Sequence, residues 1–139
     1  MGISGLLPLL KPLHKPVHLD QLSGLCVGID AYVWLHRGSH GCAMDLALGT
    51  PTTKHIDYCM KRLEKLRESG IRPLVVFDGG YLPMKAHTES DRRARRLLMK
   101  AKAKDFLAAG NKTKAFECFQ SCVDVSPEMA WEWIKVPAY

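Results

Sequence analysis

Residues 72–104, RPLVVFDGGYLPMKAHTESDRRARRLLMKAKAK, set the frame for the whole chain. A short apolar run, Pro73 to Phe77, has the length and content of a strand and ends in an acid, Asp78. Gly79-Gly80 turns the chain, and a long helical pattern dense in arginine follows. Between Ile71 and Lys104 there are nine Lys/Arg against three acids, a local charge of +6 that equals the formal charge of all 139 residues. The rest of the sequence balances to zero, so the cationic character is concentrated in one segment. An acid able to hold a cation, with a basic helix directly behind it, points to chemistry on a polyanion.

Upstream, Leu25 to Ile29 (LCVGI) is a second apolar run of strand length, entered after Ser23-Gly24 and ended by Asp30. Its continuous apolar character predicts a strand buried on both faces, as in a parallel sheet. Helical sequence from Ala31 to Leu48 follows, then a loop, GTPTT (49–53), whose last Thr is placed as an N-cap. The next helix runs to about Ser69, with Ile56, Cys59, Met60, Leu63 and Leu66 as its apolar stripe and Gly70 as the residue that closes it. This order is β-α-α-β, and a right-handed crossover makes the two strands parallel. Both strands run into an acid, and in open α/β sheets ligands bind outside the carboxyl ends of strands. Beyond the turn, a helix is predicted from Met84 to Ala109, stopped by Gly110-Asn111. Two more follow, at Thr113–Val123 and after the Ser126-Pro127 cap as far as Lys135. Residues 2–16 read as a short helix or an ordered arm.

With 47% hydrophobic and 24% charged residues the chain is one ordered globular domain of the α/β class. A pI near 9.2 suits nucleic acid or an anionic membrane surface as partner. No apolar run reaches the ~18–20 residues that span a bilayer. The N-terminus lacks a basic n-region, prolines 8, 12 and 16 interrupt its apolar stretch, and Leu6 stands where a myristoylation signal needs Ser or Thr. The five cysteines form no CxxC pair, and their odd number favours a reducing compartment.

Three groups of residues could carry chemistry. Asp30 and Asp78 are either helix caps or a carboxylate pair for a hard cation such as Mg²⁺, which takes oxygen ligands alongside substrate phosphate. Two-metal sites serve phosphodiester cleavage, but two carboxylates are too few to balance two ions, so further acids must come from elsewhere. On the basic helix, Lys85, Arg92, Arg96 and Met99 share one face, while Arg93, Lys100 and Lys104 form the next stripe. That surface is either solvated or made for phosphate contacts. Only Glu89 and Asp91 offset it, which favours phosphate. His36 and His40 stand four apart on a helix. They read as exposed or nucleic-acid-facing rather than as metal ligands, because no third ligand has convincing spacing. The residues alone lead to a phosphate-directed, Mg²⁺-dependent α/β domain.

Several ordered segments are familiar. MGISGLLPLL, VGIDAYVWLH, LVVFDGGYLPMK and the arginine-rich run after it resemble the N-terminal region of the flap endonuclease/XPG family of 5′ nucleases. WLHRGSHGCA, GTPTTKHIDYCMKRL and the Asp78–Lys85–Arg92 spacing are most similar to its exonuclease-one branch, which acts 5′ to 3′ in mismatch repair and recombination. The resemblance covers residues 1 to about 130. It implies a PIN-like (Rossmann-like) α/β fold with a central parallel sheet, a core over 1–83, and a helical arch with its return over about 84–135.

Asp30 and Asp78 match metal ligands, for two Mg²⁺ ions in the complete enzyme. Lys85 and Arg92 match the pair that engages the scissile phosphate, and Gly2 the glycine near the active site. His36, after Tyr32, matches the position that stacks on the substrate base, and Arg93, Arg95 and Arg96 would line the arch. The implied partner is DNA with 5′ ends, nicks or flaps, with mismatch-repair proteins as further partners, a nuclear location and no membrane. The sequence departs from the family near its end. WEWIK passes almost directly into VPAY, a strand-length segment is missing, and no acid follows Glu132. The internal XPG domain and helix-two-turn-helix are expected to be absent. The expectation is therefore a fold incomplete at the C-terminus that cleaves weakly or not at all alone, or else a DNA-binding remnant without catalysis.

Overall fold

The structure, a computed structural model, describes residues 3–80 and 83–136. Strand β1 (Cys26–Asp30) and strand β2 (Arg72–Val76) pair in parallel, in register from Cys26 opposite Arg72 to Asp30 opposite Val76. A short helix, α1 (Leu6–Leu10), precedes them, and its Leu7 and Leu9 are exposed. The crossover between the strands consists of α2 (Ala31–His40), α3 (Ala43–Leu48) and α4 (Lys54–Glu68). Gly70, at φ 74°, ends α4 in the left-handed conformation that a side chain resists, and its carbonyl accepts from the amide of Gly24, just before β1 (2.8 Å).

Four details differ from expectation. The single helix expected over 31–48 is broken at Gly41-Cys42, because Gly38, Ser39 and Gly41 are weak helix formers in succession and Ser39 Oγ donates to the Leu35 carbonyl (2.8 Å). Thr53 does precede α4, but its hydroxyl donates to Asp57 (3.2 Å) and caps no backbone amide. β2 stops at Val76, so Asp78 stands two residues past the strand. The sheet is buried on one face only. Val27, Ile29, Pro73 and Val75 turn towards the helices, while Leu74 and Val76 remain more than half exposed on the other side. The helices cover one side of a two-stranded sheet, so the apolar run is continuous without its burial being so.

Two clusters form the core. The first joins Ala31 and Leu35 of α2, Ile56 and Cys59 of α4, and Ala130 and Trp133 of α7 (Pro127–Ile134), against Val75 and Phe77. The Phe77 and Trp133 rings meet edge to face, 5.5 Å apart. The second joins Ala43 of α3 to Ala103 of α5 (Ala86–Ala108) and to Ala115 and Phe119 of α6 (Lys112–Ser121). Helices α5 and α6 therefore form a hairpin seated on α3. Gly110 turns it at φ 77°, and Asn111 caps α6 by accepting from the Lys114 amide (3.1 Å). Ser126 Oγ accepts from the Met129 amide (3.4 Å), with Pro127 in the first position of α7. Val125, in the α6–α7 connection, packs against both clusters.

Helix α2 packs tightly on α4 at Gly38, where an added Cβ would stand 2.7 Å from the His55 carbonyl oxygen. Gly38→Ala should therefore destabilise the fold by about 1–3 kcal/mol through overpacking. Gly28→Ala, on the open sheet face with nothing within 4 Å, should not. Thermal unfolding of the two variants compares them directly.

His55 itself is 1% exposed, and neither ring nitrogen has a hydrogen-bond partner among the described residues. The nearest carboxylate, Glu132 on α7, is 3.9 Å from Nε2. Burial lowers the His55 pKa below its usual 6.5, with Glu132 and Asp57 partly opposing. The folded state then binds fewer protons than the unfolded state. His55 should remove stability as pH falls below about 6.5 towards its folded pKa. The melting temperature should fall between pH 7 and pH 5, and His55→Gln should reduce that fall.

Candidate anion-binding cleft

A cleft of about 620 Å³ opens at the carboxyl end of the sheet, where the crossover and the helical hairpin meet. Four segments wall it. Helix α2 contributes Tyr32, Val33, His36 and Arg37, the face opposite the core residues Ala31 and Leu35. The chain after β2 contributes Asp78. Helix α5 contributes Glu89, Arg92 and Arg96, one stripe at helical spacing that continues inward through Met99 to buried Ala103. The α6–α7 connection contributes Val123, Asp124 and Val125.

Five residues singled out in the sequence thus line one space: Tyr32, His36, Asp78, Arg92 and Arg96. Asp30 stands at the same end of the sheet, as the last residue of β1, but outside the lining. Its Oδ1 accepts from the Val33 amide (3.0 Å), so it caps α2 and fixes the helix that carries Tyr32 and His36. The cap uses one carboxylate oxygen. Arg93 and Arg95 are exposed on other faces of α5 and do not line the cleft. Gly2 and the Lys85 side chain lie outside the described residues; the Lys85 backbone belongs to a 3₁₀ turn, Pro83–Lys85, that leads into α5.

The charge of this space differs from expectation. Arg92 Nη1 is paired with Glu89 Oε1 at 2.7 Å, and Arg96 Nη2 with Asp124 Oδ2 at 3.3 Å. Three arginines (37, 92 and 96) therefore face three acids (78, 89 and 124). The basic helix is nearly single-signed along its own sequence, but its inward stripe is neutralised by an acid three residues earlier and by another on a different element. The Glu89–Arg92 spacing was open to reading as a helical ion pair. Asp124 carried no such signal, because only the folding of α6 back on α5 brings it to Arg96.

His36 meets His40 edge to face, ring centres 4.8 Å apart. Burial first, then the charges of His40 and Arg96, hold the His36 pKa below 6.5, while Asp124 pulls the other way. No group of three His, Cys, Asp or Glu among the described residues is placed to hold a metal ion. His36 faces the cleft, and His40 packs against it from outside the lining. A second hollow, about 600 Å³ between α4 and β2, is mostly apolar (Met60, Leu63, Ile71, Pro73) and holds none of the expected site residues.

Fold and cleft define a class: an α/β domain whose second strand leads Asp78, and whose helical hairpin brings Arg92 and Arg96, to one charge-balanced cleft at the carboxyl end of a parallel sheet. The chain belongs to the XPG N-terminal domain family, whose sequence profile matches residues 1–99. It is 47% identical over 136 residues to Exonuclease 1 of Oryza sativa subsp. japonica and, over the same length, to Exonuclease 1 of Arabidopsis thaliana. It is also 47% identical over 130 residues to Exodeoxyribonuclease 1 of Saccharomyces cerevisiae. These alignments take in 94–98% of the chain but only 16–18% of each relative, so the chain spans about a sixth of their length.

The electrostatics of the cleft give a spectroscopic test. By NMR, His36 should titrate below 6.5, Arg96→Gln should raise that pKa by removing a neighbouring cation, and Asp124→Asn should lower it.

Proposed function

We propose that the chain is the N-terminal nuclease region of a structure-specific, Mg²⁺-dependent 5′ nuclease. Its substrate is DNA with 5′ ends, nicks or flaps, and its setting is nuclear DNA repair, including mismatch repair and recombination. The observation that carries this is the convergence in one cleft of Asp78, Arg92, Arg96, Tyr32 and His36, drawn from three separate segments. The relatives' names, Exonuclease 1 and Exodeoxyribonuclease 1, agree in kind. No helix among the described residues is long and apolar enough to cross a membrane.

In this reading Asp30 and Asp78 hold Mg²⁺. Their oxygen-only donor set at one end of the sheet suits a hard cation in kind. When bound, two such ions supply an activated water and neutralise charge on the attacking and leaving oxygens. Arg92 with Lys85 grips the scissile phosphate and stabilises the charge that develops on it. Tyr32 and His36 offer ring faces to the terminal base, and Arg93, Arg95 and Arg96 guide the strand along α5. A DNA-binding remnant without catalysis is the second reading. It is supported by Arg92 and Arg96 in the cleft and by the exposed Arg93 and Arg95 on α5, which can hold phosphate without catalysis.

The test is cleavage and binding of 5′-recessed and 5′-flap duplexes by the 139-residue chain, with Mg²⁺ or EDTA. Binding should weaken steeply between about 50 and 200 mM salt. Cleavage should be weak, should require Mg²⁺ and should vanish in Asp78→Ala. Cleavage unaffected by EDTA and by Asp78→Ala would contradict the assigned site. Salt-insensitive binding would contradict the polyanion reading altogether.

A further inference from the structure

We infer that Asp124 is a specificity-determining residue of the cleft. Its carboxylate occupies the seat on Arg96 that a phosphate of the substrate strand must take. The inference rests on the nucleic-acid reading above and deepens it.

The geometry is that of a stand-in anion. Arg96 comes from α5, is only a quarter exposed, and turns its guanidinium into the cleft. Asp124 comes from the α6–α7 connection, reaches Arg96 at 3.3 Å, and keeps 64% of its side chain in solvent. A carboxylate and a phosphate make the same demand on a guanidinium fork, so both cannot hold it fully at once. The pair is also accessible enough to exchange. Asp124 keeps most of its side chain in water and gives up little on leaving Arg96, so a phosphate backed by other contacts can displace it.

The consequence is selectivity for substrates that bring several phosphates. With its three acids facing three arginines, the cleft offers little net attraction to a small anion. A strand that also engages the exposed arginines Arg93 and Arg95 gains enough elsewhere to move Asp124 aside. The alternative role for Asp124 is structural, as a tether from α5 to the α6–α7 connection. The two roles predict opposite effects of removing its charge.

The experiment measures affinity for a 5′-phosphorylated single-stranded oligonucleotide across a salt series. It uses the parent chain, Asp124→Asn, Asp124→Ser, Arg96→Gln and the Arg96→Gln/Asp124→Asn double variant. Asp124→Asn should bind roughly 3- to 10-fold more tightly. Its log–log salt slope should steepen by about 0.7, one more single-strand phosphate contact. Asp124→Ser should do the same, and the gain should disappear in the Arg96→Gln background. A loss or no change in both Asp124 variants, with parent binding intact, overturns the inference and leaves the proposed function standing. An equal gain with and without Arg96 also overturns it, since that is general repulsion rather than competition for one seat. If neither parent nor Asp124→Asn binds at low salt, the nucleic-acid reading fails and takes the inference with it.

Discussion

Parallel pairing of Cys26–Asp30 with Arg72–Val76 is the constraint from which the cleft follows. Parallel strands cannot be joined by a tight turn, so the intervening chain has to cross over, and it does so as α2 to α4. The same pairing puts both strand ends, and the acids that follow them, on one side of the molecule. Asp30 becomes the N-cap of α2 as a direct result, and the cap orients the helix face that carries Tyr32 and His36. A cap and a ligand position are often treated as rival explanations for an acid. Here one carboxylate oxygen holds the helix, and the residue stands at the same end of the sheet as the cleft, outside its lining.

The opposite wall depends on the second core. Helix α5 is too polar to dock on apolar contact along its whole length. It is anchored instead at Met99 and Ala103, packed with Phe119 and Ala115 of α6 against Ala43. That anchor fixes the rotation of α5 and so decides which cations turn inward: Arg92 and Arg96 do, and Arg93 and Arg95 do not. Helix α7 then returns to the first core through Ala130 and Trp133, and Val125 ties the two clusters together beside Asp124. The position of Asp124 opposite Arg96 is thus a product of tertiary packing. It turns a basic helix into a charge-balanced wall.

Much of this was legible in the sequence, for local reasons. Two apolar runs, each followed by Asp, gave the strands; Gly70, Gly110 and Ser126-Pro127 marked helix ends because backbone sterics and capping act within a few residues. Arg92 and Arg96 belonged to a visible helical stripe. Most of the illegible features were set by partners far along the chain. An apolar run does not say how many of its faces are covered, so Leu74 and Val76 were expected inside and stand outside. The break at Gly41-Cys42 required weighing three poor helix formers against a longer apolar pattern. Asp124 looked like an unremarkable connecting residue until α6 was folded back on α5.

The cleft between α2, α5 and the strand ends is proposed to receive the phosphate backbone of a nucleic acid. The most direct measurement is an NMR titration of the chain with a short 5′-phosphorylated oligonucleotide in the absence of divalent cations, following arginine side-chain and backbone amide resonances. The largest shifts should fall on Tyr32, Val33, His36, Arg37, Arg92 and Arg96, with the α4–β2 hollow unmoved. Shifts spread evenly over all exposed lysines and arginines, or concentrated at Met60, Leu63 and Ile71, would contradict it.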